Sequence, residues 1–280
     1  MLHKRITIAA ISGLALIIMT GVWFEFSRGF DDQPQTPTAA ERLAVQESDN
    51  HPDKVDTIQK RGEAAHATES EINHSQQQRF NLINETYENI IAHSNQEVRH
   101  DFINSLRKKL ISEPSNENDQ AILQFLGLGL DVETGSGFHV DKRGFLSVSP
   151  TLRVTLIDVL GIVNPELAAD YADQVFATKN SADEWAISLR NVAWNYPETR
   201  DIPLLKEKLL AALTHDPWLE NPSAGFLHSF DLAVYTQSSS LIPEFTAMLE
   251  RDNSSKLSHA AIMVMDKMIL DNPTPSLNFF

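Results

Sequence analysis

The chain contains no cysteine. That excludes disulfides, thiolate nucleophiles, cysteine-held zinc and a lipidated-cysteine anchor. Metal-binding spacing is missing as well: the 10 histidines include no His-x-x-x-His pair and no His-Glu-x-x-His run. Glycine is sparse at 11 residues, and Gly127-Leu128-Gly129 lacks the Lys or further Gly of a phosphate loop. No Gly-x-Ser-x-Gly elbow occurs. Positive charge is scarce, with 23 Lys and Arg against 38 Asp and Glu for a net −15. Lys4, Arg5 and Arg28 against Glu25 put +2 into residues 1–30, so residues 31–280 carry −17. A body of that sign repels phosphate-bearing partners, which need Lys and Arg to neutralise them. No cofactor, no metal and no nucleic acid is therefore expected.

What is present begins with an uncharged apolar run, Ile6 to Phe24. At 1.5 Å per residue it spans about 28 Å, enough for a bilayer core. Lys4 and Arg5 precede it, which places residues 1–5 in the cytoplasm and exports the rest. Trp23, Phe24 and Phe26 stand at the far end, where aromatics suit the interface. Residues 6–26 therefore read as a single-pass anchor in a bacterial inner membrane, with the remainder periplasmic. A cleaved signal peptide stays open as the other reading, with small residues at Ser27-Arg28-Gly29 or Thr38-Ala39-Ala40 before a cut, although the apolar run exceeds the usual signal length. Residues 27–76 are rich in Gln, Thr, Glu, Asp and Ala and too poor in apolar residues to offset ordering entropy, so a flexible linker is expected. A coil of that size spans about 35–40 Å.

Helical periodicity starts near residue 77. Phe80, Ile83, Tyr87 and Ile90 form one stripe, and Val98, Phe102, Leu106 and Leu110 a second. Residues 120–130, with Ile122, Leu123, Phe125, Leu126 and Leu130, read as a short buried helix, so 77–130 are entry helices. At 131–150 two β-prone runs, Phe138 to Val140 and Phe145 to Val148, flank a turn ending in Gly144, which predicts a loop or small β-hairpin insertion.

Residues 151–272 carry a recurring pattern. Leu152, Leu156, Val159 and Leu160 fall at i, i+4, i+7 and i+8, one stripe of an α-helix. The spacing returns at Trp185, Leu189, Val192, Ala193, then at Phe226, Phe230, Ala233, Val234, and at Leu257, Ala261, Val264, Met265, with offsets of 33, 41 and 31 residues. Between copies stands a proline followed by apolar residues four apart: Pro165, Leu167, Tyr171; Pro203, Leu205, Leu209; Pro243, Phe245, Leu249. Proline fits the first helical turn, where its missing N–H has no partner to lose. Caps are expected at Ser181 with Glu184, at Asn164-Pro165 and at Asn221-Pro222, and stops at Tyr196-Pro197 and Asn272-Pro273. Each unit is thus helix, turn, proline-started helix, followed by a tail at 273–280.

This spacing resembles the HEAT and armadillo helical repeats. The resemblance implies an all-α chain built as a right-handed α-solenoid of stacked hairpins, and stacked repeats of that class make long protein-binding surfaces. The expected function is a membrane-tethered interaction scaffold with a protein partner. The alternative is an envelope enzyme or accessory subunit whose site is built across the repeats, for which a buried pair of acids would be the sign.

Candidate residues divide by class. Ser223, His228 and Asp231 make the nearest approach to a nucleophilic set, but no oxyanion hole accompanies them, so a cap and a polar helix face account for them and no catalytic residue is assigned. His139 and Asp141 lie two apart in the expected hairpin, too few for a metal and placed to meet a partner. Trp194 and Tyr235 each follow the start of a stripe by nine residues, opposite the apolar side, where rings would form a partner-binding ladder. Trp218, in the turn before Pro222, joins them as a candidate.

Overall fold

In the computed structural model the described residues are 58–141, 144–196, 202–251 and 255–271. The expected anchor at 6–26, the early linker, the stop at Asn272-Pro273 and the tail lie outside them. Among the described residues no helix is long and apolar enough to cross a membrane. The chain divides into two compact units, residues 1–78 with 141–144, and residues 79–140 with 145–280.

Helix α1 runs from Ile58 to Ala92, so helix begins well inside the stretch expected as linker. The reason lies in propensity: the segment is apolar-poor but made largely of Gln, Glu, Lys, Arg and Ala, good helix formers that extend a helix already nucleated downstream. In the first unit Gly144 N–H donates to the Asp141 carbonyl at 3.0 Å. Gly144 has φ of +81°, a left-handed conformation that glycine alone enters without penalty.

In the second unit, α2 (Gln96–Ser112) is capped by Asn95, which accepts from the N–H groups of Glu97 and Val98. Helix α3 (Asn116–Gly127) is capped by Ser115 and buries Ile122, Phe125 and Leu126. Leu130, expected in that buried helix, is exposed instead. Gly129, with φ of +68°, ends the helix two residues earlier, its N–H returning to the Leu126 carbonyl at 3.2 Å.

The expected hairpin forms: β1 (His139–Val140) and β2 (Leu146–Val148) pair antiparallel. The helical series then follows as α4 (Leu152–Val163), α5 (Pro165–Phe176), α6 (Ala182–Asn195), α7 (Pro203–Leu213), α8 (Asp216–Glu220), α9 (Ala224–His228), α10 (Asp231–Tyr235), a 3₁₀ turn at Ser239–Leu241, α11 (Ile242–Leu249) and α12 (Ser255–Asp271).

Local chemistry accounts for these boundaries. Thr151, Asn164 and Ser181 cap α4's start, α5 and α6 through their side chains, and Pro165 and Pro203 open their helices. Helix α6 ends at Asn195, before Tyr196-Pro197. One expected cap moves: Ser223, not Asn221, caps α9 by accepting from Phe226 N–H at 3.1 Å. The third stripe, expected as a single helix, breaks into α9 and α10 around Ser229, whose hydroxyl donates to the Phe226 carbonyl at 2.6 Å and competes with the helical ladder.

Every residue of the four stripe copies is buried nonetheless, from Leu152 through Met265. The second pattern is less regular. Leu205, Leu209 and Phe245 are buried, whereas Leu249 is exposed. Helix α6 sits at the centre, packed against α4, α5, α7 and α9, while α12 packs on α10 and α11. Through this core runs a chain of rings. Phe176 meets Trp185 at 5.0 Å, Trp185 meets Trp218 at 5.3 Å, Trp218 meets Phe226 at 6.2 Å, and Phe226, Phe230 and Phe245 follow at 5.2 Å steps. Most of these are edge-to-face contacts, each adding about 0.5–1.5 kcal/mol beyond area burial.

Candidate functional site

The most unusual chemistry lies where α2, β2, α4 and α6 meet. Asp158 sits mid-α4 between Ile157 and Val159 and is fully buried. An isolated carboxylate there would cost far more than a fold can absorb, so it must be paired. Two arginines supply the charge. Arg190 Nη1 stands 2.6 Å from Asp158 Oδ1, and Arg107 Nη2 stands 2.7 Å from Oδ2. Leu146 N–H of β2 donates to the same Oδ1 at 3.2 Å, and Arg107 Nη1 donates to the Leu146 carbonyl. Arg190 Nη2 donates to Asn191 Oδ1 at 3.0 Å, and Asn191 Nδ2 donates to the Ile157 carbonyl at 3.0 Å. One acid thereby fastens three helices and a strand.

Close backbone approach makes this possible. A Cβ at Gly161 of α4 would lie 2.6 Å from Asn191 Cγ, so only glycine lets the Asn191 amide enter between α4 and α6. On the outer side the Arg190 guanidinium lies 4.1 Å from the Trp194 ring centroid, and Phe145 meets that ring edge-on at 5.0 Å.

A second charged cluster lies on the opposite register of α4. Arg153 is held bidentately by Glu184, at 2.9 and 3.2 Å, and donates to the Leu126 carbonyl and to the Tyr171 hydroxyl. Burial works against its charge, but the Glu184 hydrogen bonds and charge outweigh that and raise its pKa. Asp131 accepts from Val132 and Arg153 N–H, and burial raises its pKa despite those bonds. Three further features are local: Asp119 accepts from Asn164 Nδ2 at 2.7 Å and is raised by burial; Asp183 accepts from Ser223 Oγ at 2.6 Å and Gly225 N–H at 3.0 Å and is likewise raised by burial; and His228 Nδ1 lies 3.2 Å from Asp231 Oδ2.

These contacts place the candidate residues. Ser223 does not face His228; its hydroxyl is engaged by Asp183 and by the α9 cap. His228 and Asp231 do pair, as their spacing suggests, with the Phe138 ring 5.8 Å from His228. Trp194 is half-buried beneath Phe145 rather than open on a ladder, and Tyr235 is also half-buried. Trp218 is a correction: it stands in α8, 8% exposed, with Trp185, Phe226 and His215 around it. Asp216-Pro217 starts a helical turn there that swings the indole inward. His139 is exposed on β1, and Asp141 is partly buried in the following turn. Among the described residues no group of three or more His, Asp or Glu side chains is arranged to hold a metal.

No spacing rule joins Asp158 to its arginines, yet the sequence carries one signal of the site. A charge inside Leu156-Ile157-Asp158-Val159-Leu160 has to be buried with the stripe, and Arg190 stands similarly among Leu189, Asn191 and Val192. Compared with models of protein families, with characterised proteins and with solved structures, the chain matches none.

Proposed function

We propose that residues 151–271 act as a HEAT-like stack of helical hairpins that binds another protein, tethered through residues 6–26 to a bacterial inner membrane with the stack in the periplasm. The observation that carries this reading is the serial packing of first helices, α4 on α6 and α6 on α9, with the proline-started α5 and α7 laid against α6. Such an arrangement buries each hairpin's apolar stripe against its neighbour and leaves long outer surfaces. The buried charges favour a binding scaffold over catalysis, because they are committed to helix contacts: Asp158 to two arginines, Glu184 to Arg153, Asp183 to a cap. Outer helices also keep apolar side chains in solvent, with Leu210 of α7 41% exposed and Ile262 of α12 51% exposed.

The test uses the full chain in native membranes, with a photocrosslinking residue at Leu210, Leu249, Ile262 or Leu270, and at buried Leu205 as control. A single protein adduct of fixed mass and near-stoichiometric yield, from some surface positions and not from the control, is the expected result. Absence of any such adduct from every position overturns the scaffold reading.

A further inference from the structure

We propose that the β-hairpin is a strap that locks three helices of the stack, α4, α6 and α9, into one cooperative block. In open helical arrays each unit touches only its neighbours, so ends open independently. Here one short segment, from Phe138 to Val148, reaches further. Leu146 of β2 is fixed to α4 through Asp158 and to α2 through Arg107. Phe145 packs edge-on against Trp194 of α6. Phe138, just before β1, is 7% exposed and lies against α9: its ring meets His228 at 5.8 Å, and its Cε2 lies 2.9 Å from where a Cβ on Gly225 would stand. The same hairpin therefore holds α4, α6 and α9, and its two strands are fixed to each other by pairing. Opening α9 breaks its packing on α6 and the Phe138 contact, and through β1 and β2 pulls on Leu146 and Phe145.

The loop before the hairpin supports the same role. Thr134 N–H and Leu152 N–H bond to the Pro150 and Val132 carbonyls at 2.9 and 3.1 Å, so the insertion is clamped at its base as well as along its length. A side chain at Gly225 would collide with Asp183 of α6 first and with Phe138 as well, so glycine lets α9 approach both at once.

The strap reading concerns contacts within the fold and stands whether or not the stack binds a protein. Hydrogen–deuterium exchange on the purified full chain tests it. In the parent protein the slowest amides of α4, α6 and α9 should exchange through one shared opening, with similar protection factors. Phe138→Ala should lower protection in α9 by about 10-fold or more while α4 keeps its own. Phe145→Leu, a milder change that preserves apolar volume, should separate α6 from α4 in the same sense by a smaller factor. Phe176→Leu, a core change on α5 outside the strap, should lower all three helices together. Should Phe138→Ala prevent folding, Phe138→Leu reads the same separation. A uniform loss across α4, α6 and α9 in the strap variants, matching that of Phe176→Leu, or three unequal openings in the parent, overturns the proposal.

Discussion

Two parts of the second unit solve the problem of holding helices together in opposite ways. Around α4 the contacts are charged and directional: Asp158 with Arg107 and Arg190, Arg153 with Glu184 and Tyr171. From α8 to α11 they are rings on rings, Trp218 through Phe245. A buried ion pair contributes little net stability against an apolar replacement, but it is costly to break, and it accepts one geometry. Aromatic contacts stabilise by area and tolerate small shifts. The charged part thus fixes how α2, β2, α4 and α6 are oriented, and the aromatic part supplies adhesion where helices are short and broken.

The sharpest way to break this contrast is Asp158→Ala. It leaves two guanidinium groups facing each other in a buried site, and should cost about 3–5 kcal/mol in chemical denaturation. Asp158→Ala combined with Arg190→Met and Arg107→Met should recover most of that loss, because no unpaired charge remains. A triple variant no more stable than the single would show that Asp158 acts through packing rather than charge.

Next in size is Gly161→Ala. The added methyl meets Asn191, and overpacking of this kind costs about 1–3 kcal/mol. A double-mutant cycle with Asn191→Ala should show coupling of at least about 0.5 kcal/mol, since removing the amide removes the clash. Additivity would place the cost elsewhere. Smaller again is Phe226→Leu in the ring chain, expected at about 1–1.5 kcal/mol as two ring contacts become aliphatic.

These sites also mark what could be read from the sequence. The stripes were legible because period and burial are one-dimensional signals, and every position from Leu152 to Met265 in the four copies is buried. Caps at Asn164 and Ser181 were legible for the same reason, being set by residues three apart. The hairpin, too, followed from alternation and Gly144. Pairings across the chain were not. Arg107, Asp158 and Arg190 come from three separate helices, and no spacing rule joins them. Trp194 illustrates the limit: the ring that covers it, Phe145, belongs to the insertion, and no repeat spacing reveals that contact. Trp218 failed for a different reason. A five-residue helix is too short to show a period, so its inward face could not be told from a turn.

The smallest effect separates the two parts by pH. Asp183, at the border between α6 and α9, has its pKa raised by burial, against the hydrogen bonds from Ser223 and Gly225 that lower it. A carboxyl whose folded value exceeds its unfolded one, about 3.9, binds its proton more tightly in the native state. Stability from this group is therefore full below the unfolded value and declines as pH rises through the folded one. Asp183→Asn keeps an oxygen to accept from Gly225 N–H and removes the titration. The parent should lose stability relative to this variant as pH climbs from about 4 through the raised value, while the aromatic variant Phe226→Leu keeps the parental slope. If Asp183→Asn instead leaves the slope intact, the acid responsible is Asp119 or Asp131, both also raised by burial and both bonded on the α4 side, Asp119 to Asn164 at the end of α4 and Asp131 to Arg153. The pH response would then belong to the part held by ion pairs, not to its junction with the rings.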